Sequence, residues 1–405
     1  MVLTSAESAL VEPLTGSAAP MLGQVEAWAA INSGSDNLPG LALQAEALAE
    51  AFAPLGGDLA LIEGQPSQVV DADGKVRARA HGRHLRQIVR PDAAVQVLLT
   101  GHMDTVYPVD HAFQMCRFEA PGRLNGPGVA DMKGGIAIML AALGAFDRSV
   151  AAAHLGYTVL ITSDEEIASP SSDPLLRAAA RRANWGLTYE PSSLPDGTLA
   201  GARWGSGNFA ATITGRSAHA GRNPEEGRNA LAAACDLALR LEALIGPDLR
   251  VNPAKIDGGG PNNVVPANAV LRFNSRPRTV KARAHAETAI ADAIAAVSAE
   301  REVTIALHGS FARPPKPLDA NQQRLFAHVE IAAADLGQLY ATRESGGVCD
   351  GNNLAAEGLP VVDTLGARGG AIHSPLEYML TESLVERAAL SALLLHRLAL
   401  AGAPA

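Results

Sequence analysis

Histidine and carboxylate side chains follow apolar segments of this chain, in types and spacings that could bind a metal ion. The segment GHMDTVYP (101–108) places His102 and Asp104 directly after the apolar run 95–99. Taken alone, this pair is also consistent with an ordinary polar turn. A metal site would therefore need further ligands from elsewhere in the sequence.

Further candidate ligands follow other apolar segments in the same manner. They are Asp131 in NGPGVADMKGG, Glu165 and Glu166 in TSDEE, Glu190 after WGLTY, and His373 before SPLEYM. Singly, an aspartate before a helix is ordinarily an N-cap, and an acidic run is a solvated turn. Together, two histidines and one carboxylate from each of the three segments between them, with no cysteine, suit Zn, Co or Mn. Five ligands exceed the needs of one tetrahedral zinc that keeps a water, but they suffice for two metals if one carboxylate bridges.

The elements that must position these side chains alternate between helix and strand. Apolar spacing predicts helices over GLALQAEALAEAFAPLG, GGIAIMLAALGAF and SDPLLRAAARRA, and strands over VQVLL, YTVLITS and WGLTYE. This alternation predicts an α/β fold, with a mixed, mostly parallel sheet flanked by helices. Ligands of such sheets bind at the carboxyl ends of the strands, where crowded carboxylates would repel one another without a cation. The sequence therefore predicts a metal site at that edge.

The pattern changes near residue 203. GNFAATITG alternates with period two, and a helix, a strand, a helix and the strand REVTIALHG follow it. This order predicts an inserted α+β two-layer sandwich over 204–312. The catalytic domain would then consist of residues 1–203 and 313–405.

Charge and cysteine content argue against several classes of protein. The net charge is −9 without a Lys/Arg-rich run, so we expect no nucleic-acid or membrane partner. The three cysteines are scattered, which argues against a disulfide framework and a thiolate zinc site. Because no uninterrupted apolar window reaches ~18 residues and no signal peptide is recognisable, we expect a cytoplasmic location.

As an ensemble, these segments resemble the co-catalytic di-zinc family of glutamate carboxypeptidase, acetylornithine deacetylase, succinyl-diaminopimelate desuccinylase and aminoacylase. The matching segments are GHMDTVYP, GPGVADMKGG, TSDEEIASP, YEPSS, SAHAGRNPEEGRNA, NNVVPANA, GGVCDGNN and AIHSPLEYM, in the family's order. The resemblance implies two zinc ions per subunit, for which Co or Mn could substitute. His102 and Glu190 would bind one ion, Glu166 and His373 would bind the other, and Asp131 would bridge them.

The resemblance also implies roles around the metal ligands. Asp104 would accept the second ring N–H of His102 and fix its tautomer. Glu165 resembles the family's general base, which takes a proton from the attacking water and delivers it to the leaving amine. The peptide bond between Asp131 and Met132 would be cis, as it is in the family.

Three residues of the predicted inserted domain match positions that contact the substrate in the family. His219, in SAHAG, matches a histidine that stabilises the oxyanion and often comes from the partner subunit, which implies a homodimer. Asn263 and Arg276 match positions that bind the substrate's carboxylate, a task suited to the guanidinium fork of arginine. Gly346 and Gly347 resemble a glycine-rich loop beside the site, whose role could be purely conformational.

The residue at position 190 bears on the substrate. Carboxypeptidases and N-deacylases of the family resemble this chain in having Glu there, whereas aminopeptidases and dipeptidases have Asp. The overall resemblance is strongest to glutamate carboxypeptidase, so we expect release of a C-terminal amino acid from a peptide or N-acylated substrate. A lysine of that enzyme falls at Thr198, which puts glutamate specificity in doubt.

Other functions remain open from the sequence. An N-acyl-amino-acid deacylase would hydrolyse the same type of bond, with the larger half of the substrate on the other side. A non-catalytic binding protein on the same scaffold is disfavoured because Glu165 and all five ligands are present. A serine or cysteine hydrolase is disfavoured by the absence of a G-x-S-x-G motif.

Overall fold

The computed structural model describes residues 3–403. The helices are α1 (Ser5–Val11), α2 (Ala18–Ala29), α3 (Leu38–Phe52), α4 (Gly134–Phe146), α5 (Asp173–Ala180), α6 (Ala230–Glu242), α7 (Val280–Arg301), α8 (Ala320–Asp335), α9 (Asp350–Ala356) and α10 (Glu382–Ala401). The strands are β1 (Asp58–Ile62), β2 (Ser67–Val70), β3 (Val76–Arg79), β4 (His84–Val89), β5 (Val95–His102), β6 (Arg117–Ala120), β7 (Arg123–Asn125), β8 (Leu155–Thr162), β9 (Trp185–Thr188), β10 (Leu199–Arg203), β11 (Ser206–Thr214), β12 (Leu249–Gly258), β13 (Asn268–Pro277), β14 (Thr304–Arg313), β15 (Thr342–Ser345), β16 (Val361–Val362), β17 (Gly369–Gly370) and β18 (Tyr378–Leu380).

The central sheet has the strand order β1-β4-β8-β5-β9-β16. Strands β8, β5, β9 and β16 are mutually parallel, and β4 runs antiparallel to both of its neighbours. The sheet is therefore mixed and mostly parallel, with helices around it, which confirms the predicted fold class. Its parallel strands are apolar and almost entirely buried, as strands covered on both faces are.

Helix α4 lies at the centre of the larger hydrophobic core. Residues Ile136, Met139, Leu143 and Phe146, predicted to share one helical face, are fully buried, and so are most of the residues between them. The helix packs against α2 and α10, so its apolar surface is covered on several sides. The stretch Val129–Phe146 has the length and composition of a membrane span but is 83% buried inside the fold, as a core helix is.

The polypeptide after β10 forms a second, four-stranded sheet in the order β12-β13-β11-β14, all antiparallel. Helices α6 and α7 pack against it around a separate apolar core that includes Phe209, Leu237, Leu271 and Ile290. One strand, β12, was missing from the sequence prediction. It contains Pro253 beside a register shift, and it lies at the sheet edge, where a missing N–H is tolerated.

The two chain segments that join this smaller unit to the larger one lie side by side. The main-chain N–H of Arg203 donates to the carbonyl of Lys316 at 2.8 Å, and that of Lys316 donates back to the carbonyl of Arg203 at 2.9 Å. Both side chains also bind the buried Asp363 carboxylate, at 2.8 and 2.7 Å. The domain boundaries at 204 and 312 stay a prediction, but both crossing segments are anchored to the larger unit.

Candidate metal centre

The ends of three neighbouring parallel strands bring the sequence-predicted ligands to one edge of the central sheet. Strand β5 ends at His102, the short helix Glu165–Ile167 follows β8, and Glu190 lies just beyond β9. Asp131 lies in the turn that enters α4, and the peptide bond between Asp131 and Met132 is cis, as expected.

The predicted ligands form two groups that share Asp131. One group is His102, Asp131 and Glu190, and the other is Asp131, Glu166 and His373; in each, the potential ligand atoms lie within 4.8 Å of one another. The first group is buried, whereas the His373 side chain is 52% exposed. The centre is therefore accessible from the His373 side.

Asp131 directs a different carboxylate oxygen to each group. Its Oδ1 lies 3.1 Å from Nε2 of His102, and its Oδ2 lies 3.3 Å from Nε2 of His373. The remaining ligands lie close to the same two nitrogens: Glu190 Oε1 is 3.8 Å from that of His102, and Glu166 Oε2 is 3.2 Å from that of His373. This is the arrangement that a carboxylate bridging two cations requires.

Burial and mutual repulsion perturb the protonation of this cluster. Burial, together with the charge of Asp131, raises the pKa of Glu190 and of Glu166. Burial also acts to raise the pKa of Asp131, but hydrogen bonds from His102 and His373 outweigh it and hold that pKa below its usual range. Hydrogen bonds to Asp131 and Glu166 raise the pKa of His373 to about 11. The carboxylates thus crowd around two imidazole nitrogens, an arrangement that bound cations would neutralise.

The donor set fits divalent metal ions of the zinc type. Imidazole nitrogens and carboxylate oxygens are the ligands that zinc accepts, and each group offers three of them. Three protein ligands leave a coordination position for water or substrate, which is typical of catalytic rather than structural zinc sites. The residues present therefore fit a pair of metal ions that share Asp131.

Asp104 contacts both His102 and the turn that follows β8. The Nδ1 atom of His102 lies 2.9 Å from the main-chain carbonyl of Asp104 and 3.5 Å from its carboxylate. The carboxylate also accepts from the main-chain N–H groups of Glu165 and Glu166, both at 3.1 Å, and from the Ser35 hydroxyl at 2.8 Å. Asp104 thus holds His102 through its backbone and the Glu165–Glu166 turn through its side chain.

Glu165 faces the cavity beside the metal centre. Its Oε1 accepts a hydrogen bond from Nη2 of Arg313 at 2.8 Å, and no described residue hydrogen-bonds its Oε2. Burial raises the pKa of Glu165 to about 8, although the positive charge of Arg313 opposes the shift. A cavity-lining carboxylate with a raised pKa, and with one oxygen that no described residue hydrogen-bonds, has the properties of a general base.

A cavity of about 1020 Å³ opens over the two groups. Its lining includes Asp131, Glu165, Glu166, Glu190 and His373, together with Arg203, Arg276, Arg313, Asn208 and Asn274. Acidic and basic side chains thus line the same cavity, and two of them, Glu165 and Arg313, bind each other.

Arg276 is the cavity arginine without a carboxylate partner among the described residues. Its Nε donates to Oδ1 of Asn274 at 2.8 Å and its Nη1 to the carbonyl of Gly346 at 2.9 Å. Burial and the nearby Arg250 charge lower its pKa. The glycine-rich loop thus orients cavity arginines through its carbonyls, since that of Gly347 accepts from Arg203 at 3.2 Å.

His219 and Asn263 lie apart from this cavity in the single chain. Both are exposed, neither is among the lining residues, and their loops pair with each other. The main-chain N–H of Ala220 donates to the carbonyl of Asn263 at 3.0 Å, and His219 pairs with Val264. The structure therefore brings these two residues together but not to the predicted ligands.

Two buried residues near the centre were not recognised in the sequence. Glu377 accepts hydrogen bonds from the main-chain N–H groups of Gly128, Ala130 and Asp131, and so fixes the turn that carries the shared aspartate. Glu377 lies inside a segment that supported the resemblance, but no feature of that segment indicates that its side chain binds the Asp131 turn. The other is Arg313, the last residue of β14, directly before a proline-rich stretch.

Sequence comparison identifies relatives with named activities. The chain is 32% identical over 292 residues to carboxypeptidase G2 of Pseudomonas sp. (strain RS-16), a match that covers 69% of this chain and 68% of that protein. It is 34% identical over 209 residues to succinyl-diaminopimelate desuccinylase of Maricaulis maris (strain MCS10), covering 46% of this chain and 52% of that protein.

Structural comparison supports the same fold. A tripeptidase from Staphylococcus aureus matches with a TM-score of 0.73 and 21% identity, over 94% of this chain and 98% of that one. Human carnosine dipeptidase 1 matches with a TM-score of 0.71 and 15% identity, over 97% of this chain and 100% of that one. At these identities the likeness concerns the fold alone.

The family model for peptidase family M20/M25/M40 matches residues 98–397, which include every predicted metal ligand. This range also contains the second sheet and both segments that connect it to the first. The two-group cluster at the sheet edge, the named relatives and the family match agree. The chain therefore belongs to peptidase family M20/M25/M40 and is a metallohydrolase of the metallopeptidase and amidohydrolase type.

Proposed function

We propose that this protein is a di-zinc amidohydrolase that releases a C-terminal amino acid from a peptide or N-acylated substrate. The observation that carries the proposal is the division of the Asp131 carboxylate between two ligand groups. His102 and Glu190 would hold one zinc and Glu166 and His373 the other, with Asp131 shared. Cobalt or manganese could occupy the same ligands.

Bound zinc supplies Lewis acidity, which lowers the pKa of water and polarises the scissile carbonyl. Glu165 then accepts the water's proton at a carboxylate oxygen and delivers it to the leaving nitrogen. The position of Glu165 on the cavity wall, directly before the ligand Glu166, supports this role. Asp104 would keep the two glutamates in their separate roles because it binds both of their main-chain N–H groups.

Arg276 would bind the carboxylate of the departing amino acid. It lines the cavity, and no described carboxylate neutralises it, so an anionic substrate group would supply the missing charge. Asn274 and Gly346 hold two of its nitrogens and leave the rest of the guanidinium for a charge-assisted hydrogen bond. A substrate with a free carboxylate and an acylated amine fits this arrangement.

The side chain of the released amino acid is less defined. Thr198, at the position of the lysine in glutamate carboxypeptidase, is buried, and its hydroxyl donates to Asp196 at 2.7 Å. Thr198 does not line the cavity, so it offers no charge to a glutamate side chain. We therefore propose the amino-acid carboxylate, rather than a glutamate side chain, as the recognised group.

The substitution Glu165→Gln tests the mechanism. It retains size and hydrogen bonding but removes the proton acceptor, so kcat should fall by about 10²–10⁴-fold with zinc content unchanged. A chelator should abolish wild-type activity, and added zinc should restore it. A Glu165→Gln enzyme with full zinc content and near-normal turnover would refute the assigned base.

An N-acyl-amino-acid deacylase is the second candidate, favoured by the similarity to a desuccinylase. A panel of N-acetyl and N-succinyl amino acids, compared with pteroyl- and peptidyl-glutamates, separates the two functions by kcat/KM. The carboxypeptidase proposal expects efficient cleavage when the acyl half is large. Preference for small acyl groups would replace it with the deacylase.

We also propose a cytoplasmic homodimer in which His219 and Asn263 act on the partner subunit's cavity. Their exposure, their mutual proximity and their distance from the lining of their own cavity support this arrangement. Light scattering tests the assembly: a monomer at assay concentration would contradict it.

A further inference from the structure

Arg313 is a buried cation with two carboxylate partners on different segments. It is 1% exposed and stands at the end of β14, where the chain leaves the second sheet. Its Nη2 donates to the side chain of Glu165 at 2.8 Å and also to the main-chain carbonyl of Glu165 at 3.2 Å. Its Nη1 donates to Asp350 at the start of α9. The guanidinium thus binds two oxygens of Glu165 through Nη2 and is itself held by Asp350 through Nη1.

The remaining contacts of this cation restrict its orientation. Nη1 also donates to Oδ1 of Asn353 at 3.0 Å, and Nη2 donates to the hydroxyl of Ser169 at 2.9 Å. That hydroxyl in turn donates to Oδ1 of Asp350 at 2.5 Å. Because both ends of the fork are engaged, the guanidinium can rotate only by breaking several charge-assisted hydrogen bonds.

We infer that Arg313 is a positioning residue for the general base, one that fixes the side chain of Glu165 through the Arg313–Asp350–Ser169 network. The inference rests on the proposed role of Glu165. Lysine could replace the charge of Arg313 but not its planar fork, which reaches Glu165 and Asp350 together. Since Arg313 ends β14, the network also ties the position of the base to the segment that connects the two sheets.

Two other roles for Arg313 would have different effects on the kinetic constants. If Arg313 bound the substrate's carboxylate, its loss would raise KM, because the residue also lines the cavity. If it served only the fold, its loss would lower stability without a specific effect on kcat. A positioning residue lowers kcat at constant KM and constant zinc content, because a small misplacement of a catalytic group slows only the chemical step.

The test compares Arg313→Ala and Arg313→Lys in the zinc-loaded enzyme, with Arg387→Met as a matched loss of a buried arginine. Arg387 binds the carbonyl of Gly197 at 2.8 Å and does not line the cavity, so its variant should keep kcat. We expect kcat to fall about 10- to 100-fold in Arg313→Ala and in Arg313→Lys, with KM within about twofold. Millimolar guanidinium should partly restore kcat of Arg313→Ala, whereas methylammonium should not.

A double-mutant cycle separates this inference from the proposed function. On a Glu165→Gln background, Arg313→Ala should cause little further loss, because the residue acts through the missing carboxylate. Additive losses, a raised KM, or no rescue by guanidinium would overturn the inference while leaving Glu165 as the base. A near-normal Glu165→Gln enzyme would instead overturn the proposed function itself.

A second variant covers the case in which Arg313→Ala does not fold. Ser169→Ala removes one contact to the fork and one to Asp350 but leaves the charges paired. It should lower kcat about two- to tenfold with unchanged KM, as a slightly displaced base would. Unchanged kcat in both Ser169→Ala and Arg313→Lys would overturn the inference.

Discussion

The sheet-edge centre and the His219–Asn263 loops differ in how the fold positions their side chains. At the centre, His102, Asp131 and Glu190 are buried, and the first two have backbone contacts that fix them. In the loops of the second sheet, His219 and Asn263 are exposed, and main-chain hydrogen bonds join the two loops to each other. One chain can therefore build the complete ligand set, whereas the proposed oxyanion donor needs a second subunit or a movement of the smaller unit.

The comparison predicts that Asp131 is the least replaceable residue. Asp131→Ala should remove a ligand from both groups at once, so kcat/KM should fall by about 10³-fold or more from its wild-type value. Both bound zinc and kcat/KM should fall further than in His373→Ala. The measurement is zinc per chain by atomic absorption, together with kcat/KM. His154→Ala, at an exposed site away from the cavity, is the control. Zinc content equal to wild type in Asp131→Ala would contradict the shared ligand.

The second prediction tests whether the exposed loops act across subunits. His219→Ala should lower kcat by about 10²–10³-fold, the effect of losing one donor to a developing oxyanion. Co-expression with Glu165→Gln should restore about a quarter of wild-type activity, since half of the dimers would contain one intact composite site. Activity no higher than that of the separate variants would place His219 in its own subunit's site or outside catalysis.

The third prediction concerns Arg276, which lines the cavity. Arg276→Met should raise KM about 10- to 100-fold and change kcat little, because a charge-assisted hydrogen bond to the substrate is lost in both ground and transition states. Arg276→Lys should recover part of the loss, as it keeps the charge without the fork. Steady-state kinetics on the best substrate of the panel measure both values. A kcat defect at constant KM would show that the residue does not bind the substrate's carboxylate.

The smallest effect is expected for the carboxylate behind the Asp131 turn. Glu377→Gln replaces one acceptor oxygen by an NH2 donor, so at least one hydrogen bond from the three main-chain N–H groups is lost and zinc affinity should fall about tenfold. Competition with a fluorescent chelator measures that affinity. Unchanged affinity would mean that the turn holds Asp131 without help from Glu377.

Sequence reasoning was effective where a simple rule of topology applied. Parallel strands must end at one edge, so His102, the glutamates after β8 and Glu190 were expected to meet, and they do. The rule does not predict which hydrogen bonds are made by the residues that support the ligands. The engagement of Asp104 with two main-chain N–H groups depends on how the turn after β8 folds, and nothing in the motif indicates it.

Other features were hidden by local sequence or by long separation. Strand β12 was missed because Pro253 interrupts its pattern, although its place at the sheet edge makes the proline tolerable. The pairing of Arg313 with Glu165 joins residues 148 positions apart, and only the arrangement of the two sheets brings them together. Periodicity and motif spacing carry no information about such contacts.

Anomalous diffraction from the zinc-loaded protein tests the central claim most directly. The account predicts two zinc peaks about 3.5–4 Å apart, with Asp131 between them. His102 and Glu190 should contact one peak, and Glu166 and His373 should contact the other. A single peak, or two peaks that do not share Asp131, would contradict it.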